Sequence, residues 1–242
     1  KSMDQQREFL ADASHELRTP IAVIQTNLEV VKASGDETVE SQATWLDNAY
    51  DETKRMHHIV EDLMFLARAD SGDVHFEPTP VDMGYLIMEV TERFIPMAAQ
   101  KSITILSKVP MEELNVMGDE KQLTQLMVIL IDNAIKYTEP EADERNKTIV
   151  VQAEQIEEGI EICVTDKGIG ISKEEQEKIF QRFYRVDKVR SRAEGGTGLG
   201  LSIAYWIVQK HKGIIRVESE ENVGTKMMIV FPAYEGPKEA NE

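Results

Sequence analysis

Two long apolar stripes in the first 71 residues constrain this chain more than any other feature. In the first, Leu10, Ala13, Leu17, Ile21, Ile24, Leu28 and Val31 recur at steps of three and four. In the second, Leu46, Ala49, Thr53, Met56, Val60, Leu63 and Ala67 repeat the pattern. Such spacing puts one seam along each of two helices. The segment Lys32-Ala-Ser-Gly-Asp-Glu-Thr38 breaks the run between them, so residues 1–71 are read as an antiparallel helical hairpin. Two helices alone cannot enclose both stripes. Pairing two hairpins into a four-helix bundle covers them, which predicts a homodimer of C2 symmetry. A monomeric hairpin packed on its own second half is the alternative.

Gly72–Pro80, with two prolines and a glycine, reads as a linker, and helix and strand signals mix beyond it. Gly84–Lys101, Glu120–Tyr137 and Leu199–His211 are helical in pattern, and Ile103–Lys108 is a strand. Thr148–Gln155 with Ile160–Asp166, and Ile214–Ser219 with Lys226–Phe231, form two hairpins around turn residues. This order predicts an α+β sandwich over residues 81–235, a mixed sheet covered by helices on one face, with 236–242 a frayed tail. Charge narrows the partners: 27 basic against 44 acidic residues give a formal −17, which repels nucleic acid. The single cysteine, Cys163, excludes an internal disulfide framework and suits a reducing compartment. No run of 18 apolar residues is present. The start Lys1-Ser2-Met3 reads as mid-helix, so a longer parent with a sensing part upstream is expected.

Within the first helix, Ser14-His15-Glu16-Leu17-Arg18-Thr19-Pro20 carries chemistry. Ala13 and Leu17 face the seam, and His15 lies about 200° around from Ala13, pointing to solvent. An outward imidazole has no packing duty. Glu16 beside it can hold the Nδ1 proton, leaving the Nε2 lone pair nucleophilic. Thr19, at i+4, shares the histidine's face and could position a water, and Pro20 should kink the helix one turn on. His57, His58, His75 and His211 lack such neighbours and are read as surface or helix-end residues. The heptapeptide resembles the H-box of sensor histidine kinases. That resemblance implies that His15 is the phosphoacceptor, Glu16 its base, and Thr19 the water-orienting residue of a phosphatase reaction.

The second half has no G-x-x-x-x-G-K-[ST] loop, which excludes a P-loop site. Four other segments fall in order. Asp132-Asn133-Ala-Ile-Lys136-Tyr137 ends a helix with an amide oxygen suited to Mg²⁺, an ammonium for phosphate and a stacking ring. Asp166-Lys-Gly168-Ile-Gly170 follows a strand, its carboxylate able to accept from an exocyclic amine and its glycines permitting close approach. Phe180-Gln-Arg182-Phe183-Tyr184-Arg185 leads into a basic stretch with Lys188, Arg190 and Arg192. Gly195-Gly196-Thr197-Gly198-Leu199-Gly200-Leu201 then opens a helix whose N-terminus favours a triphosphate.

Together these resemble the N, G1, F and G2 boxes of the catalytic, ATP-binding domain of histidine kinases, a Bergerat-type fold. The resemblance implies Mg²⁺ on Asn133, the adenine amino group on Asp166, and a nucleotide surrounded by Lys136, Tyr137, Gly168, Gly170, Arg185, Gly196, Thr197, Gly198, Leu199 and Gly200. Residues 187–195 would form a mobile lid over ATP. One departure stands out: Ile129 occupies a position where many histidine kinases have a second asparagine, so weaker nucleotide binding or slower phosphorylation is expected. The gyrase, heat-shock chaperone and mismatch-repair ATPases of that fold have a water-activating glutamate there, and Ile129 cannot be a general base.

The implied reaction runs from Mg-ATP to His15 and on to an aspartate of a response-regulator receiver domain, with Thr19-assisted dephosphorylation in return. The outward residues Ala22, Gln25 and Thr26 lie along the expected docking surface. Family likeness also implies the cytoplasmic portion of a membrane-anchored bacterial sensor. A non-catalytic ATP-sensing scaffold and a hydrolytic ATPase are the competing functions.

Overall fold

The computed structural model describes residues 3–35, 37–138, 147–186, 196–234 and 236. The chain divides into two compact units, the first built on an N-terminal pair of helices and the second starting at His75.

Helices α1 (Met3–Ala33) and α2 (Ala43–Ser71) form the hairpin. Gly72, left-handed at φ 80°, caps α2, its N–H donating to the Ala69 carbonyl. Helix α1 runs unbroken through Pro20. Its buried line is narrower than the stripe. Ala13, Pro20 and Asn27, spaced by sevens, are buried, as are Ala49, Ile59 and Leu66 of α2. Leu10, Ile21 and Leu28, read above as seam residues, stand 59%, 42% and 42% exposed. On α2, Val60 and Met64 are also open, and so is Trp45. A two-helix contact covers one heptad line, and the flanking apolar positions face away from it.

The second unit holds β1 (Thr79–Asp82), α3 (Met83–Gln100), β2 (Thr104–Lys108), β3 (Asn115–Gly118), α4 (Glu120–Tyr137), β4 (Thr148–Ile156), β5 (Gly159–Asp166), the short α5 (Lys173–Gln176), α6 (Gly200–Lys210), β6 (Ile214–Glu220) and β7 (Gly224–Phe231). The main sheet has the order β2-β4-β5-β7-β6, with β2 parallel to β4 and the other pairs antiparallel. The register Val151↔Val164↔Met227 and Ala153↔Ile162↔Ile229 places these apolar side chains on one face. Helices α3, α4 and α6 supply the facing layer through Ile87, Val90, Leu126, Leu130, Ile203 and Ile207. This is the mixed sheet covered by helices that the pattern predicts.

Two findings differ from the sequence reading. Pro80, placed in the linker, sits in β1, which pairs antiparallel with β3 in a second, two-stranded sheet. A proline fits there because such a small sheet is all edge. His211, read as a helix-end surface residue, is 4% exposed. Its Nε2 accepts the Asp119 N–H at 3.0 Å and its Nδ1 donates to the Ile207 carbonyl at 2.7 Å, with Phe76 and Phe231 edge-on to the ring. Phe76, Asp119 and Phe231 come from three other segments of the chain, so little in the local sequence announces the burial. Desolvation lowers its pKa. His57, His58 and His75 are exposed, as expected.

The placement of α4 follows from its cap. Asp119 accepts the Gln122 N–H at 3.1 Å on one carboxylate oxygen and the Glu77 N–H at 3.1 Å on the other. Eight buried residues from Gln122 to Ile135 then fix the helix on the sheet. This fixes which side chains of its last turn face the sheet's end.

Candidate active site

A cavity opens between the last two turns of α4 and the ends of β5 and β7. Leu130, Asn133, Ala134 and Tyr137 line it from α4, at the i, i+3, i+4, i+7 spacing of one helix face. Val164 and Asp166 come from β5, and Met227 and Thr225 face them from β7 through the pairs Val164↔Met227 and Asp166↔Thr225. Ile169, Gly170 and Ile171 form one wall, and Ile179, Tyr184, Arg185 and Val186 with Leu201 of α6 complete the lining.

Most of this lining is apolar, and Asp166 is the carboxylate set into it, 8% exposed. Its Oδ1 accepts the Gly168 N–H at 2.8 Å. Burial pushes the carboxyl up from 3.8 to about 6, against the opposing pull of the Gly168 and Thr225 N–H groups. At neutral pH it is mostly ionised, a fixed acceptor among apolar side chains.

The glycines around it are required by contact. A β-carbon at Gly168 would overlap the Tyr137 carbonyl oxygen, and one at Gly170, held at φ 68°, would overlap the Glu220 carbonyl oxygen. Gly168 therefore serves the loop's packing, whereas Gly170 lines the cavity itself. The run Gly196, Thr197, Gly198, Leu199 leads into Gly200, the first residue of α6. Thr197 Oγ1 accepts the Leu199 N–H at 3.2 Å, and Gly198 takes φ 72°.

The structure separates two neighbours that the sequence grouped. Asn133 and Tyr137 face the cavity, but Lys136 lies off that face, its ammonium 2.5 Å from Asp132. The i,i+4 partner on its own helix holds it there. Ile129, one turn before Asn133, has its γ2 methyl 3.3 Å from where a Gly200 β-carbon would stand, which packs α4 against the start of α6. The expected lid and its cations Lys188, Arg190 and Arg192 fall outside the described residues. Thr225 and Met227 were missed by sequence reasoning, since only the β5–β7 register brings them opposite Asp166 and Val164.

In the hairpin unit, His15 is exposed and Glu16 half-buried. His15, Arg18, Thr19, Ala22, Val23, Thr26 and Asn27 line one shallow groove along α1. The Thr19 hydroxyl donates to the His15 carbonyl at 3.5 Å, which ties it to the histidine's turn and leaves its oxygen lone pairs available.

An apolar cavity with a buried carboxylate at the end of a mixed sheet, joined in one chain to a helical hairpin with an exposed histidine, fits a two-part phosphotransfer class. Comparison with known proteins agrees. Residues 118–235 match the family described as histidine kinase-, DNA gyrase B- and HSP90-like ATPase, which implies an ATP-binding fold. Residues 5–72 match the His Kinase A (phospho-acceptor) domain. The chain is 39% identical over 233 residues to the sensor histidine kinase WalK of Bacillus subtilis (strain 168), covering 96% of this chain but 38% of WalK. Among solved structures, a mycobacterial sensor histidine kinase, MprB, is 31% identical over 65% of this chain and 98% of its own, with a TM-score of 0.55. Histidine kinase ThkA, solved in complex with response regulator protein TrrA, is 26% identical with a TM-score of 0.74, covering 94% of this chain and 61% of that one. This chain belongs to the sensor histidine kinases.

Proposed function

We propose that this chain is the catalytic part of an ATP-dependent protein-histidine kinase that phosphorylates His15 and passes the phosphoryl group to an aspartate of a response-regulator receiver domain. The observation that carries this reading is the pairing of a buried carboxylate in an apolar cavity with an exposed histidine, in a chain whose two halves match the corresponding family models.

The adenine amino group donates to Asp166, and Tyr137 and the Ile169–Ile171 wall flank the ring. Backbone N–H groups from Gly196 to Gly200 and the N-terminal end of the α6 dipole draw the phosphates. Among the described residues no cluster of three acidic, histidine or cysteine side chains could cage a metal. The donor chemistry still fits Mg²⁺, which takes one or two protein oxygens and completes its shell with phosphate and water. Asn133 supplies the amide oxygen, and the bound ion would neutralise charge on the phosphate oxygens. Lys136 reaches phosphate only on leaving Asp132, and Arg185 is the cation already in the lining.

In the transfer step the His15 Nε2 lone pair attacks the γ-phosphorus in line. The N–P bond forms as the bridging P–O bond breaks, and ADP leaves with the electron pair. Glu16 takes the Nδ1 proton of the resulting imidazolium. Thr19, anchored on the His15 carbonyl, orients the water that returns the regulator's aspartyl phosphate to inorganic phosphate. The open apolar positions Leu10, Ile21, Leu28, Val60 and Met64 support a homodimer with a four-helix bundle. Ala22, Gln25 and Thr26 are exposed along α1 beyond His15 and form the regulator-docking surface. The whole protein is a membrane-anchored sensor with this part in the cytoplasm; no described helix here is long and apolar enough to cross a bilayer.

Incubation with γ-labelled ATP and Mg²⁺ tests the proposal against its competitors. A kinase gives protein-bound label that is acid-labile, alkali-stable and lost in His15→Gln. Phosphate release without protein label identifies an ATPase, and nucleotide binding with neither identifies a scaffold.

A further inference from the structure

Three strands of hydrogen bonding meet at Ser219, the penultimate residue of β6 and outside the cavity lining. Its Oγ accepts the Ile171 N–H at 2.8 Å and lies 2.7 Å from the Gly224 carbonyl and 3.0 Å from Thr225 Oγ1. A hydroxyl has one hydrogen. The carbonyl can only accept, so that hydrogen goes to Gly224, and Thr225 Oγ1 must be the donor in the third contact. Ser219 thus accepts twice and donates once, with no capacity left over.

Around this node the base-facing wall is bracketed on both sides. Gln176 spends its two amide hydrogens on the Ile171 carbonyl at 3.0 Å and the Ser219 carbonyl at 2.8 Å. The Asn222 N–H reaches the Ile169 carbonyl at 2.7 Å. Ile169, Gly170 and Ile171 are thereby held to the β6–β7 turn, and Gly170 has no room for a side chain against Glu220. On the other side Thr225, whose hydroxyl is committed to Ser219, directs its backbone N–H to the Asp166 carboxylate.

We propose that Ser219 is a positioning residue that sets the base selectivity of the cavity, by locking the Ile169–Ile171 wall and Thr225 at a fixed distance on either side of Asp166. The inference rests on reading the cavity as a purine pocket. Selectivity is where the effect falls, because discrimination depends on where the carboxylate meets the 6-substituent. Adenine presents a 6-amino donor to Asp166. Hypoxanthine presents a 6-oxo acceptor, which the same carboxylate repels. If Ser219 is cut back, Ile171 and Thr225 shift independently and the carboxylate loses its aim, but the apolar walls that any purine uses stay in place.

The test measures dissociation constants of ATP and ITP with the full chain by titration calorimetry, for the wild type, Ser219→Ala, Ser219→Thr and Gln176→Met. In Ser219→Ala the ATP constant should rise by about five- to tenfold, the loss of about one net hydrogen bond. ITP should change by less than about twofold, so the ATP:ITP preference narrows by at least about half that factor. Ser219→Thr keeps the hydroxyl and should keep the preference. Gln176→Met removes the second bracket at similar volume and should narrow it too; it decides the matter if Ser219→Ala does not fold. Equal weakening of both nucleotides, or an unchanged preference in Ser219→Ala and Gln176→Met, overturns the role of Ser219. A wild type that binds ATP no better than ITP overturns the purine-pocket reading itself.

Discussion

Replacing Asp166 with asparagine should stabilise the nucleotide-binding unit at neutral pH while removing its hold on adenine. Burial raises the carboxyl from 3.8 to about 6, so the folded state prefers the protonated acid. A group raised in this way contributes stability below its unfolded value, and that contribution is lost as pH rises through the folded value. The rise is about two pH units, at about 1.4 kcal/mol each, so ionised Asp166 costs the fold about 3 kcal/mol at pH 7 relative to pH 3. Asparagine keeps an oxygen for the Gly168 N–H and never ionises. Whatever constant difference its amide introduces, the stability gap between variant and wild type should grow by about 3 kcal/mol from pH 3.5 to pH 7, with most of the change between about 4 and 6. Urea unfolding at a series of pH values measures it. A Trp45→Phe background leaves Trp206 of α6 as the fluorescent reporter of this unit. Comparing two proteins at each pH cancels every other titration. A gap that stays flat, or narrows toward pH 7, would refute the burial argument.

Gly170→Ala combines an overlap with the Glu220 carbonyl and a left-handed backbone at φ 68°; it should cost at least about 2 kcal/mol of stability by urea unfolding and lower ATP affinity. Ile129→Asn should tighten Mg-ATP binding by calorimetric titration, and an unchanged dissociation constant would count against a role for this position. Because burial lowers the His211 pKa, its contribution to stability is full above its ordinary 6.5 and is lost as pH falls below that. His211→Gln should therefore flatten the unfolding profile as pH falls below 6.5, and an unaltered profile would show that another group titrates there.

What the sequence revealed depended on how local the determining contacts are. The bounds of α4 were read as Glu120–Tyr137, and these are the observed ones, because an Asp119 cap and an unbroken apolar face lie within one stretch of chain. Asp166 and Gly170 were legible for the same reason: a carboxylate and glycines directly after an alternating strand have few other uses. Thr225, Ser219 and Gln176 were not, since they reach the site through strand register and a side-chain bracket spanning 43 residues between Gln176 and Ser219. The β1–β3 pair was hidden behind Pro80, which argues for a linker until its partner strand is known. In the hairpin, periodicity found the apolar stripe but could not divide it. Ala13 turned inward and Leu10 outward, a choice made by where α2 lies.

The most direct test of the account is to locate the phosphoryl group. After reaction with Mg-ATP, the intact chain is digested at neutral to mildly alkaline pH and the phosphorylated peptide sequenced by electron-transfer mass spectrometry. The account predicts one phosphate on His15, absent from Asp166→Asn because the nucleotide is no longer held. Phosphate on another side chain, or on His15 at undiminished level in the Asp166 variant, would contradict it.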